Sequence, residues 1–179
     1  MNYVIIGNGI AGVEAAQTIR KNDADGKITI ISQSAHLHYY RPRIIEYLAK
    51  KVNLDQITIF KDDFYAKNSI TNILHTTISK IDPESKQVID SNGNTFLYDK
   101  LLMATGSPVF VPPIEGVKTK GVFTLKGATD ADNILTYCEN INNVIVIGGG
   151  LLGLETANSL SSIGKNVTVI ELAKWLLPR

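Results

Sequence analysis

Near the start of the chain, Tyr3, Val4, Ile5 and Ile6 form a short apolar run. Glycines follow at once at 7, 9 and 12, and then comes an Ala-rich stretch whose apolar residues Ala11, Ala15, Ala16 and Ile19 share one helical face. A run this short and apolar suits a buried strand, and the recurrence behind it suits an amphipathic helix, so the pattern predicts strand, tight turn, helix. A second β-branched run, residues 28–31, follows at the distance expected of a βαβ unit. The same order then returns. Val144, Ile145, Val146 and Ile147 lead into Gly148, Gly149, Gly150, Leu151, Leu152 and Gly153, then Glu155 and Ala157, and then a run over 167–170 closed by Glu171. Two copies of one pattern predict two α/β units.

The stretch between them reads differently. Residues 44–49 have helical spacing, and a short helix is expected over 62–68. Four short segments, 70–74, 76–81, 86–90 and 95–98, are separated by turn residues such as Asp82-Pro83 and Asn92-Gly93, and they read as a small antiparallel meander inserted in the first unit. Residues 100–104 return to a buried central strand ending in Thr105, Gly106, Ser107 and Pro108. Residues 111–116, with two prolines and a glycine, look like a stiff linker. The expected domains are therefore 1–110 and 111–179. A helix over 130–140 turns Ile134, Leu135 and Cys138 to one side, which makes Cys138 a packing residue rather than a nucleophile. The fold class is α/β: a Rossmann-like unit with a parallel sheet and a small antiparallel meander, followed by the start of a second Rossmann-like unit.

Composition narrows the function. The 179 residues are 44% hydrophobic and 20% charged with a net charge of +1, and there is no basic run, so nucleic acid is not an expected partner. No stretch of about 18 apolar residues is present to span a bilayer, and no charged leader precedes the first strand, so no membrane association and a cytoplasmic location are expected. The lone Cys138 makes neither an internal disulfide nor a dithiol, which agrees with a reducing compartment.

The glycine spacing carries the chemistry. In a G-x-G-x-x-G turn the first glycine makes the bend, the second lets backbone approach a diphosphate, and the third lets helix pack on strand, with the phosphates on the helix N-terminus. Gly7, Gly9, Ile10, Ala11 and Gly12 are the first such set, and Gly148, Gly150, Leu151, Leu152 and Gly153 the second. The carboxylate that usually holds the ribose hydroxyls is missing from the first, where Ser32, Gln33 and Ser34 end the second strand. It is present in the second as Glu171, which favours NADH over NADPH. Arg41 and Arg43 flank Pro42 at a helix start, a place that suits an anion or a flavin edge and equally suits plain surface charge. His36 and His38 read as a polar loop, and no metal site is expected.

Taken in order, Gly7 to Gly12, Tyr40-Arg41-Pro42, Ala104-Thr105-Gly106-Ser107, Gly148 to Gly153 with Glu155, and Glu171 with Leu177-Pro178-Arg179 resemble the N-terminal half of the FAD-dependent pyridine nucleotide oxidoreductases. The resemblance is to the branch of NADH:rubredoxin oxidoreductase and the flavoprotein part of the nitrite reductase large subunit. It implies that the first turn binds FAD, that Arg41 and Pro42 lie near the flavin, that Thr105 and Gly106 touch FAD, and that the second turn binds NAD(H). The implied reaction is hydride transfer from NADH to FAD, with electrons passed on to a small redox protein or another acceptor. Glu155 matches a family carboxylate beside the flavin that many relatives pair with a Lys where Glu46 stands here; the expectation is that Arg43 supplies that cation to Glu155. Full-length members continue past Arg179. The chain is accordingly expected to be an N-terminal fragment that exposes Val146, Val169, Trp175 and Leu176, and that pairs with a second copy or a partner chain or is marginally folded. A non-catalytic nucleotide-binding or interaction module is the alternative.

Overall fold

A computed structural model of the chain describes residues 1–177; Pro178 and Arg179, the end of the last sequence motif, lie outside the described residues. In chain order the first elements are β1 (Asn2–Ile6), α1 (Ile10–Asn22), β2 (Lys27–Ile31), α2 (Ile44–Leu48), α3 (Leu54–Ile57), α4 (Asp62–Lys67) and β3 (Ile70–Ile73). They are followed by β4 (Ile78–Asp82), β5 (Gln87–Asp90), β6 (Thr95–Leu97), β7 (Lys100–Met103), α5 (Ala128–Cys138), β8 (Asn143–Ile147), α6 (Leu151–Ser162) and β9 (Asn166–Ile170). Contacts divide the chain into two units, Met1–Tyr39 with Thr58–Pro108, and Tyr40–Ile57 with Val109–Arg179.

The first unit is built on a parallel sheet of order β3-β2-β1-β7. Side chains alternate across it, so Ile5, Ile28 and Ile30 face one side and pack with Val13 and Ala16 of α1 and Tyr65 of α4. Val4, Ile6 and Ile31 face the other side, where Val88, Ile78, Ile81 and Phe96 of the antiparallel β4-β5-β6 sheet cover them. Both faces of β1 and β2 are thereby dry, which is why those strands read as unbroken apolar runs. Two expectations need correction. The segment at 70–74 is not the first strand of the meander: β3 pairs in parallel with β2, Ile28 opposite Ile70 and Ile31 opposite Ile73. Its short apolar sequence is compatible with either sheet, and the core contact of Ile70 decides it. Nor is β7 a central strand. It borders β1 alone at the edge of this sheet, and Met103 is 62% exposed.

The second unit contains a two-stranded parallel ribbon, β8 and β9, with α6 between them in sequence and packed on them. Residues 40–57, which a boundary at 110/111 leaves with the first domain, make their contacts in this unit. Ile44 and Leu48 of α2 are buried, α2 packs on α5 and α6, and the Ser159 hydroxyl donates to the Ile45 carbonyl at 3.0 Å. Cys138 is buried with Ala128, Ala131 and Ile134 on the inner side of α5, and burial pushes its thiol up. The bare face of the ribbon is not the one expected. Val144, Val146, Val167 and Val169 are half-buried, while Ile145 and Ile147 are 62% and 68% exposed. Strand alternation sends the two sets to opposite faces, and α6 covers the valines. Trp175 and Leu176 are exposed as expected.

Candidate functional site

The two glycine turns have the same construction. Gly7 and Gly148 sit at φ of +115° and +110°, a left-handed bend that turns each chain out of its strand. The Gly7 N–H donates to the Ile31 carbonyl and the Gly148 N–H to the Ile170 carbonyl, both at 2.8 Å, so each turn is tied to the end of the neighbouring parallel strand. A Cβ at Gly12 would overlap the Gly7 carbonyl, and one at Gly153 would overlap the Gly148 carbonyl. A Cβ at Gly9 or Gly150 would meet open space. The third glycine is thus required by packing inside the protein, and the second is the position left open to a ligand.

Gly9 and Gly150 are also the N-caps of α1 and α6, and neither helix has a side-chain cap or an acidic residue in its first turn. The first N–H groups of both helices therefore lack an intrahelical acceptor and carry the positive end of the dipole. An anionic diphosphate fits such a turn.

The first unit brings several of the sequence-expected residues to the carboxyl ends of its parallel strands: Gly7, Gly9, Ile10, Ala11 and Gly12 after β1, Ser32 and Gln33 after β2, and Thr105 and Gly106 just beyond β7. The Gly7 bend lies directly against the Ala104 carbonyl and the Thr105 nitrogen. Ser32 is buried, and its hydroxyl accepts from the Ser34 N–H at 3.2 Å, so it braces the turn, whereas Gln33 is exposed. His38 stacks on Phe60 with ring centroids 5.8 Å apart. Among the described residues no group of three or more His, Cys, Asp or Glu side chains is placed to hold a metal ion.

The second unit holds Gly148, Gly150, Leu151, Leu152, Gly153 and Glu171. Leu151 and Leu152 are exposed at the start of α6. Oε2 of Glu171 accepts from the Gly149 N–H at 2.6 Å and Oε1 from the Ala173 N–H at 2.8 Å. The Ala173 and Gly149 N–H groups together hold this carboxyl below the usual carboxylate range.

Arg41, Pro42 and Arg43 form a 3-10 turn before α2, also in the second unit, with Arg41 and Pro42 exposed. The expected pairing of Arg43 with Glu155 is not formed. Arg43 forks onto Glu46, Nε to Oε1 at 2.9 Å and Nη2 to Oε2 at 2.6 Å. The reason is local: the two residues are one helical turn apart, where an Arg reaches a carboxylate without leaving its own helix. Glu155 stands exposed on α6. The Arg43 bond also holds the Glu46 carboxyl below its ordinary value, so Glu46 is the carboxylate that receives the cation.

Two residues escaped the sequence reading. Asn8 lies inside the first turn and is buried, with its Oδ1 accepting from the Tyr65 hydroxyl at 2.9 Å. Its place between two glycines was a signal; Tyr65 had none, being one aromatic in a short helix.

The family model for pyridine nucleotide-disulphide oxidoreductases matches residues 1–179. The chain belongs to this family. It is 38% identical over 177 residues to a nitrite reductase [NAD(P)H] of Bacillus subtilis, covering 98% of the chain and 22% of that protein. It is 35% identical over 180 residues to a rubredoxin-NAD(+) reductase of Pseudomonas putida, covering 100% of the chain and 47% of that protein. Among solved structures, the NADH:rubredoxin oxidoreductase of Clostridium acetobutylicum superposes with a TM-score of 0.84 at 34% identity, over 98% of the chain and 46% of that protein. The family member described here thus spans from about a fifth to just under half the length of these relatives. Among its described residues, no helix is long and apolar enough to cross a membrane.

Proposed function

We propose that this chain is the FAD- and NAD(H)-binding part of an oxidoreductase that takes hydride from NADH and delivers electrons to a separate acceptor, in the cytoplasm. The observation that carries the reading is the repeated turn: two anion-binding glycine turns of one construction, only the second followed by a strand-ending carboxylate, Glu171. Two turns suit two dinucleotides; Glu171 favours NAD(H) at the second, and the family resemblance implies FAD at the first. When bound, the flavin supplies the chemistry of accepting a hydride and releasing electrons one at a time.

The residues of the chain bind and orient. First-turn N–H groups of α1 hold one diphosphate, and those of α6 hold the other. Gly9 and Gly150 give those phosphates room for close approach. Gln33 offers the exposed amide at the end of β2 where a carboxylate is usual, and Thr105 and Gly106 lie beside the Gly7 bend. Glu171 accepts from ribose hydroxyls and repels a 2′-phosphate, which selects NADH. Arg41, Pro42 and Arg43, with Glu155, are proposed at the flavin side by family resemblance; Arg43 contributes by neutralising Glu46 rather than by holding Glu155.

The acceptor is proposed to be a small one-electron carrier of the rubredoxin type or a nitrite-reducing partner, in keeping with the named relatives. The lone, buried Cys138 gives no dithiol for disulfide exchange. The test is a spectrum. The full-length protein is purified, supplied with FAD, and mixed with NADH without oxygen. Bound yellow flavin that bleaches on mixing is the expected result; a protein that takes up no flavin would be a nucleotide-binding module instead.

A further inference from the structure

The second unit has an open cleft of about 430 Å3 bordered by the end of α2, the start of α3 and Leu135 of α5. None of its lining residues belongs to a glycine turn, and its size falls within the range of about 300–1,000 Å3 usual for small-molecule sites. Lys50 and Lys51, both exposed, are its charged residues, and among the described residues no Asp or Glu lines it. The acids close by are engaged elsewhere: Glu46 is held by Arg43, and Asp132 accepts from the Tyr47 hydroxyl at 2.6 Å.

Local backbone chemistry sets how these residues are presented. The Lys50 N–H donates to the Tyr47 carbonyl and the Lys51 N–H to the Glu46 carbonyl, both at 2.9 Å, so α2 ends in a Schellman turn. Lys50 takes the left-handed position of that turn, at φ +56°, where glycine is usual. A side chain kept in a conformation that L-residues disfavour points to a use for it. Across the cleft, the Asn53 N–H donates to Oε1 of Gln56 at 2.8 Å and the Gln56 N–H to Oδ1 of Asn53 at 2.9 Å. This is a reciprocal capping box. Backbone N–H groups only donate, so both side-chain oxygens face the backbone, and Nδ2 of Asn53 and Nε2 of Gln56 are the outward ends. The polar lining thus offers two ammonium groups and two amide donors, beside an apolar part made by Tyr47, Val52 and Leu135.

We propose that this cleft binds a small phosphate monoester, its phosphate held by Lys50, Lys51 and the amides of Asn53 and Gln56, and its organic part laid on Tyr47 and Leu135. Phosphate oxygens only accept, which matches a lining whose outward polar groups donate. Lysine is a point charge that imposes no plane and so suits a tetrahedral phosphate, whereas a planar carboxylate is best met by an arginine fork. The one fork nearby, that of Arg43, is spent on Glu46. The site is separate from both glycine turns, so the ester is a third ligand beside the two proposed dinucleotides.

The experiment titrates phenyl phosphate, and separately inorganic phosphate, into the full-length protein by calorimetry, with FAD and NAD+ present in excess to occupy the glycine turns. Phenyl phosphate is expected to bind with a Kd of about 1 mM or below, at least about threefold tighter than inorganic phosphate. Lys50→Gly removes the charge and relieves the left-handed strain, so it should weaken phenyl phosphate about tenfold while the midpoint in urea stays at or above that of the parent. A lysine that served only the fold would not separate the two readouts. Asn53→Asp keeps the capping oxygen and replaces the outward donor with a charged oxygen, and it should also weaken binding about tenfold. Lys67→Met, which lies outside the cleft, is the control and should leave the Kd within about twofold. Because neither Lys50 nor Asn53 lies in a glycine turn, these variants decide the matter whether or not the dinucleotide reading holds. A parent that takes up no phenyl phosphate below about 10 mM, or a Kd within about twofold of the parent in both Lys50→Gly and Asn53→Asp, overturns the proposal. Equal affinity for the two probes overturns the assignment of an ester.

Discussion

Oε2 of Glu171 accepts a hydrogen bond from the backbone N–H of Gly149 at 2.6 Å. The carboxylate at the end of β9 is therefore fastened to the middle of the glycine turn after β8, and the Gly149 carbonyl is held from the other side by the Leu177 N–H at 2.8 Å. A carboxylate has about four acceptor sites, so two N–H partners orient Glu171 and still leave capacity for ribose hydroxyls. A residue with a side chain at 149 would press into Glu171 and Leu176, which gives the middle glycine of the row its own purpose.

Glu171→Gln should disturb both duties. It retains the size of the side chain but exchanges one acceptor oxygen for a donor that opposes the N–H groups it faces. The expected result in the full-length enzyme is a kcat/KM for NADH lower by about tenfold or more and a smaller preference over NADPH. The carboxyl is held below its ordinary range in the folded protein, so its contribution to stability is present above the unfolded pKa and is lost as pH falls through the lower, folded one. Denaturation midpoints of the parent and of Glu171→Gln should converge on acidification.

The two kinds of glycine predict opposite results. Gly12→Ala forces a methyl into the Gly7 carbonyl, and overpacking of this kind costs about 1–3 kcal/mol, read as a lower midpoint in urea. Gly9→Ala meets open space in the protein alone, so the midpoint of the flavin-free protein should stay within about 0.5 kcal/mol of the parent while FAD binding weakens. Equal destabilisation by the two would mean that the second glycine serves the fold.

Tyr47 donates to Asp132 at 2.6 Å and so joins α2 to α5. Tyr47→Phe should lower stability by about 1 kcal/mol, measured by chemical denaturation. The bond to Asp132, with burial, pushes the Tyr47 phenol up to about 12. A group that binds its proton more tightly when folded stabilises fully below its unfolded pKa, about 10, and that contribution disappears as pH rises toward about 12. The parent should lose stability over this alkaline window, and Tyr47→Phe should lose less.

Arg43 and Glu46 predict an acid effect of the same form as Glu171. Arg43 lowers the Glu46 carboxyl, so the pair stabilises above the unfolded Glu pKa and ceases to as pH falls through the folded one. Arg43→Ala should be less stable than the parent at pH 7, with the difference vanishing as pH falls through the lowered Glu46 pKa and shrinking in 1 M salt because the pair is at the surface. A coupling between Arg43 and Glu155 in a double-mutant cycle would contradict the geometry described here.

What the sequence determined by itself was local and periodic. The runs before Gly7 and Gly148, the glycine spacing, the helix behind each turn and Glu171 are all set by neighbours close in the chain, where strand alternation, helical recurrence and the demand for a bend act directly. Tertiary structure decided what depends on partners distant in sequence. Segment 70–73 became an edge strand of the parallel sheet because β2 offered it an edge and the α1 side offered Ile70 a core. Segment 40–57 joined the second unit because α5 and α6 bury Ile44 and Leu48. Arg43 chose Glu46 over Glu155 because a carboxylate one turn away on its own helix is reached at less cost in order than one on another helix. Tyr65 met Asn8 across 57 positions of chain, a relation that no periodicity encodes, since it exists only once β1, β2 and α4 are packed together.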